Sequence, residues 1–181
     1  MNAKPNLESG SVVLEVGRDE EKWMGMSNPF RLKTILVPTD FSNCSMKALQ
    51  YALPFAKQNS AAITLLHVIP PPTPAGAEYG SVDFPAIETN LREGAERELL
   101  ALAATKVHGA VPTEATVRMG SATTEILRLA RELPADLIVI ATHGRTGLKH
   151  VFLGSVTEHV VRSAPCPVLV VRESEHEFLA S

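Results

Sequence analysis

Thr34-Ile35-Leu36-Val37-Pro38-Thr39-Asp40-Phe41-Ser42 is the stretch from which the fold can be read. After the threonine its first residues are apolar without alternation, the pattern of a strand buried on both faces. A polar turn follows at once. From Ser45 to Lys57 the apolar residues Leu49, Ala52, Leu53 and Ala56 then recur at helical spacing, which predicts a helix. Pro54 falls inside it and predicts a kink or a break, because proline has no N–H to donate to the preceding turn. A fully buried strand running straight into an amphipathic helix opens a βαβ unit.

The same alternation continues toward the C-terminus. Ala62 to Ile69 reads as a second strand, stopped by the run Pro70-Pro71-Pro72-Thr73-Pro74, with a loop to about Phe84. Pro85 to Thr105 reads as a helix with proline tolerated in its first turn. Thr113 to Met119 is the third strand, and Ser121 is placed to cap a helix reaching Leu133. Leu137 to Ala141 is the fourth strand, Ser155 to Arg162 the last helix and Val168 to Val171 the last strand. The fold class is therefore α/β, an open Rossmann-like parallel sheet with helices on both faces. Three parts are expected: an extension over residues 1–32 with one apolar patch (Val12 to Val16), a domain over 33–172, and a polar tail over 173–181. The extension is expected to be flexible.

Bulk composition narrows the function. Seventeen basic residues against 20 acidic ones, net −3, lack the basic excess of a general nucleic-acid binder. Cys44 and Cys166 form no CxxC pair, so neither a disulfide framework nor a zinc site is predicted, and both thiols read as packing groups in a reducing compartment. Met1 to Gly10 has no apolar run resembling a secretory leader, and no stretch approaches the roughly 18 apolar residues of a membrane span. The expectation is a cytoplasmic protein with no membrane or nucleic-acid partner.

In open α/β sheets ligands sit beyond the carboxyl ends of the strands, where the strand order reverses. Two strand ends carry suitable chemistry. The first leads into Pro38-Thr39-Asp40-Phe41-Ser42, and the fourth, through Ile140 and Ala141, into Thr142-His143-Gly144 and a loop that closes at Gly154-Ser155. Gly144, Gly147 and Gly154 allow close backbone approach, and Gly154-Ser155 opens a helix whose N-terminal N–H groups suit an anion. Ser155 and Thr157 add hydroxyls, and Arg145, Lys149 and His150 lie nearby. Each residue also has an ordinary explanation. Ser155-Val156-Thr157-Glu158 is a capping box, Gly154 a turn residue, and Asp40 a cap of the first helix or its turn. His143, His150 and His159 fit no zinc spacing.

Taken together, these pieces resemble the universal stress protein family. They are Ile35 to Ser42, Leu65-Leu66-His67-Val68, Ala135 to Ile140, Gly154-Ser155-Val156, and Ala164-Pro165-Cys166-Pro167 followed by Val168 to Val171, all in order. The resemblance implies five parallel strands in order 3-2-1-4-5, a homodimer formed through Val168 to Val171, and a nucleotide signature G-x2-G-x9-G-[S/T]. Carried onto this chain, the second and third glycines are Gly144 and Gly154 and the hydroxyl is Ser155, whereas the first falls on Ala141. By the same resemblance Asp40 faces the ribose, and Pro38, Thr39 and Val68 line an adenine slot. Ile140, Ala141 and His143 belong to the site, with Gly144, Gly154, Ser155, Val156 and Thr157 around the phosphates. ATP with phosphate-bound magnesium is the implied ligand.

Ala141 leaves a second reading open. If that position needs left-handed backbone, alanine costs on the order of 1–2 kcal/mol; in extended backbone it costs almost nothing. The alternatives to an ATP-responsive regulator acting on an unknown protein partner are an interaction module that has lost the nucleotide and a weak ATPase. No catalytic residue is assigned, since no general base or paired carboxylates accompany Asp40. A phospho-receiver domain is set aside because Met119-Gly120 stand where its acceptor aspartate would follow the third strand.

Overall fold

A computed structural model of the chain describes residues 2–5, 12–15, 31–72, 83–142, 144 and 153–173. It divides into two compact units, Met1–Arg31 and Leu32–Ser181. In the first, β1 (Asn2–Pro5) pairs antiparallel with β2 (Val12–Glu15), Asn2 opposite Glu15 and Pro5 opposite Val12. Sequence patterning assigns no element here, because Asn2-Ala3-Lys4-Pro5 lacks the β-branched residues that mark a strand.

The second unit is built on β3 (Thr34–Pro38), β4 (Ala62–Ile69), β5 (Thr113–Met119), β6 (Leu137–Ala141) and β7 (Val168–Val171). All neighbours are parallel, in the order β5-β4-β3-β6-β7, which is the expected 3-2-1-4-5. Helix α1 (Asn43–Asn59) and helix α2 (Phe84–Leu102) cover one face. Helices α3 (Ala122–Glu132) and α4 (Ser155–Ser163) cover the other. That division follows from handedness. The chain moves one way across the sheet from β3 to β5, then jumps back past β3 to β6, and right-handed crossovers in opposite directions put their helices on opposite faces. The reversal leaves a crevice between the ends of β3 and β6.

Strand residues alternate between two cores. Ile35, Val37, Val139 and Ala141 pack toward α1, while Leu36, Ile138 and Ile140 pack toward α3 and α4. Cys44 is buried in the first core, and Cys166 packs half-buried against the second. Burial pushes the Cys166 thiol up, and the nearby Asp136 charge adds to this, so it stays protonated. Asp136 itself anchors the opposite end of the sheet, where its Oδ2 accepts the N–H groups of Lys33 (2.6 Å) and Thr34 (2.9 Å).

Two local expectations are corrected. Of the kink or break expected at Pro54, the break does not occur, and helix α1 runs on through that residue. The carbonyl that loses its partner belongs to exposed Gln50, where water can replace the missing donor. Ser121 occupies the N-cap position of α3 but makes no side-chain cap bond, and the helix ends at Glu132. By contrast, Asp83 caps α2 by accepting the Ala86 N–H at 3.1 Å, and α2 continues into a π-helical turn, Ala103–Val107.

Candidate functional site

The turn after β3 is held rigidly. The Thr39 N–H continues the ladder to the Leu66 carbonyl (2.8 Å), and the Thr39 carbonyl accepts from His67 Nδ1 (2.8 Å), which fixes the proton on that nitrogen. Ser45 Oγ donates to the Ser42 carbonyl (2.9 Å), so the Thr39 hydroxyl donates to Ser45 Oγ (3.0 Å) while accepting the Phe41 N–H (3.1 Å). Phe41 takes the left-handed conformation (φ 64°), and its ring lies 4.5 Å from that of His67. A bulky residue held there is a strained feature of the kind found beside binding sites.

This frame aims Asp40. Its Oδ1 accepts from the Ser42 N–H (3.1 Å) and hydroxyl (2.6 Å), and the Ser42 hydroxyl in turn caps α1 at the Ser45 N–H (3.3 Å). The ordinary capping account of Asp40 therefore holds for one oxygen. The other faces Gly144 across the crevice. A β-carbon on Gly144 would collide with Asp40 Oδ2 and lie 3.4 Å from Cγ. Gly144 is needed for closeness, since its φ lies outside the left-handed range.

On the far side Gly154 donates its N–H to the Thr142 carbonyl (2.8 Å) and is itself the N-cap of α4 (φ −67°, ψ 152°), with no side-chain cap bond. Ser155 is therefore the first helical residue, and the capping-box reading of its hydroxyl fails by one position. The N–H groups of Ser155, Val156 and Thr157 belong to the first turn of the helix and have no partner within it, and these three residues line the cavity. The Thr157 hydroxyl serves the fold. Buried at 4% exposure, it donates to the Ala141 carbonyl at 2.7 Å. What Thr157 offers a ligand is its backbone N–H.

These groups line one cavity of about 480 Å³. It brings together every sequence-predicted site residue except His143, which lies outside the described residues, as do Arg145, Gly147, Lys149 and His150. His159 is exposed on α4. The cavity also takes in Ser45, Leu66, Pro70, Ala122, Ile126 and Thr142, which the sequence reading missed. Leu66 and Pro70 flank Val68 at the period of two and could have been found that way. Ala122 and Ile126 sit one turn apart on a helix whose position no local motif specifies.

The lining is divided by chemistry. Pro38, Leu66, Val68, Ile126 and Ile140 form an apolar slot. The Leu66 carbonyl faces β3, so two residues on, the N–H and carbonyl of Val68 face the same way. There β3 has already ended at Pro38. Asp40, Gly144 and the start of α4 form the polar end. Ala141 lies within β6 in extended backbone. It is 7% exposed, and its methyl belongs to the core on the α1 side. The left-handed penalty does not apply. Among the described residues no cluster of three or more His, Cys, Asp or Glu could hold a metal.

Behind the slot lies an ion cluster. Arg118 of β5, beside Val68 in register, meets Glu125 and Glu132 of α3, and Arg128 meets Glu125. Hydrogen bonding to Glu132 raises the Arg118 guanidinium above its usual value, and Arg118 holds the Glu132 carboxyl below the usual range. Among the described residues no helix is long and apolar enough to cross a membrane.

Comparison with known proteins bears on this arrangement. The sequence model of the universal stress protein family matches residues 31–172. A universal stress protein of Methanocaldococcus jannaschii is 32% identical over 145 residues, spanning 80% of this chain and 85% of the relative. The solved structure of a second such protein from that organism is 30% identical with a TM-score of 0.70, covering 81% of this chain and 99% of its own. A universal stress protein solved in complex with cAMP is 26% identical with a TM-score of 0.58, covering 80% of this chain and all of its own.

Proposed function

The chain belongs to the universal stress protein family, and from that premise we propose that its cavity binds ATP, with magnesium on the phosphates, and that the protein is a nucleotide-responsive regulator in stress adaptation. The observation that carries this is the approach of the Asp40 carboxylate to Gly144 beside the open N-terminus of α4. A hydroxyl-binding acid and a set of anion-binding N–H groups share one crevice, as ribose and phosphates require. The apolar slot suits the base, and the backbone of Val68, with a donor and an acceptor side by side, complements the N1 and 6-amino edge of adenine. The cAMP complex of a relative supports the adenine nucleotide class. Magnesium needs no protein cage, because it bridges phosphate oxygens and keeps its waters.

Ala141 is the argument for a module without nucleotide, and its extended backbone and core-facing methyl remove most of it. Dimerisation through β7 is part of the same reading. The two sheet edges differ: β5 carries Glu114 and Arg118, whereas β7 is Val-Leu-Val-Val. Charges blunt an edge against pairing, and β7 has none. A dimer built on β7 would present nucleotide-dependent changes in the crevice to a protein partner.

Equilibrium dialysis of ATP with magnesium tests the binding. Saturable micromolar binding is expected for the native protein, with a loss of about tenfold or more in Gly154→Val, whose side chain would crowd the start of α4. Native protein that fails to saturate at millimolar ATP would leave only the interaction-module reading.

A further inference from the structure

The ion cluster adjoins the slot lining, with members on α3 and on the strand beside Val68. Side-chain exposure is 16% for Arg118 and 10% for Glu125, so this ion pair between β5 and α3 is largely shielded from solvent. Glu125 Oε2 is met by Arg128 Nη2 (2.6 Å), Arg128 Nε (3.1 Å) and Arg118 Nη1 (3.5 Å), and Arg118 is also held by Glu132 (Nη1 to Oε1, 3.2 Å). Glu125 lies on α3 between Ala122 and Ile126, the two residues that wall the slot from that side. Arg118 stands in register with Val68, which walls it from the other. The cluster thus ties α3 to β5, the strand that holds Val68 of β4 in register beside Arg118.

Apolar packing alone lets a helix slide or roll by small amounts at little cost, whereas a buried carboxylate stays satisfied only while its guanidinium partners reach it. Gly120, at φ 148°, closes the remaining gap: a β-carbon there would lie 3.1 Å from Glu125 Cγ. Glu125 is therefore confined by Arg118, Arg128 and the Gly120 backbone together. Resting on the reading that the cavity takes a nucleotide, we infer that Arg118 and Glu125 fix the spacing between the paired strands β4–β5 and α3 and so set the width of the base slot, selecting purine over pyrimidine nucleotides. They are positioning residues, acting through Val68, Ala122 and Ile126.

The test is calorimetric titration of ATP and CTP, each with magnesium, into the native protein, Glu125→Gln and Arg118→Lys, with Glu93→Gln of the exposed Glu93–Arg97 pair as control. The two nucleotides share ribose and triphosphate, so their affinity ratio isolates the base. The ratio is expected to fall about tenfold in both slot variants and to stay unchanged in the control. Thermal unfolding without nucleotide, measured alongside, separates loss of stability from loss of selectivity. Variants that bind ATP and CTP in the native ratio overturn the inference, even if they are less stable, while leaving the nucleotide reading intact. Native protein that binds neither nucleotide overturns both. If Glu125→Gln does not fold, Arg118→Lys carries the same comparison.

Discussion

A glycine is required either for a backbone angle or for the absence of a side chain, and the signature positions of this chain separate the two. Gly144 serves the second need, with the Asp40 carboxylate where its β-carbon would be. Ala141, where the family pattern has glycine, stands in a strand with its methyl in the core, so nothing at that position calls for glycine. Ala141→Gly is expected to change ATP affinity by less than about twofold and to cost about 1 kcal/mol of stability, since glycine in a strand loses more backbone entropy. Calorimetry and denaturant unfolding check the two parts. The sequence could identify Ala141 as the departure from the pattern but could not state its consequence, which depends on φ and on the face of β6. Asp40 was legible as a site residue because of its place after the first strand. Its division between capping Ser42 and facing Gly144 depends on a crevice formed by residues about a hundred positions apart in the chain.

At the scale of elements, β1 and β2 escaped the sequence reading, but the strands and helices of the second unit were legible almost to their ends because buried parallel strands and amphipathic helices have different periods. Their termini were less so. Ser155 and Gly154 differ by one residue as the cap of α4, and the S-x-x-E pattern favours the wrong one. What decides it is Thr157, whose hydroxyl is drawn back to the Ala141 carbonyl and ties the first turn of α4 to the end of β6. Thr157→Val keeps the shape and leaves that buried carbonyl without a donor, which should cost about 1–3 kcal/mol. Urea unfolding of the variant checks this, and a native-like midpoint would assign the anchoring of α4 to apolar packing alone. The slot wall on α3 was illegible for a related reason. Ala122 and Ile126 are ordinary helix residues in the sequence, and only the packing of α3 on the sheet brings them to the cavity beside Val68.

For the whole molecule, the sheet order follows from the alternation of elements together with the family resemblance, and the crevice follows from the order. The proposed dimer would form on β7, a terminal strand of that order. The Pro167 and Val171 carbonyls accept from Ile138 and Thr142, so the backbone groups of Val168 and Val170 face away from β6. Val170→Pro removes an outward N–H and leaves the ladder to β6 in place. Light scattering is expected to give twice the 19.5 kDa chain mass for the native protein and a single chain mass for Val170→Pro. The central claim is that the crevice at the strand-order reversal holds ATP against Gly144. Its most direct test is calorimetric titration of ATP with magnesium into the native protein and Gly144→Ala side by side. Micromolar binding by the native protein, weakened about tenfold or more by the added methyl, is the predicted result. Equal affinity in the two proteins, or no binding by either, would contradict it.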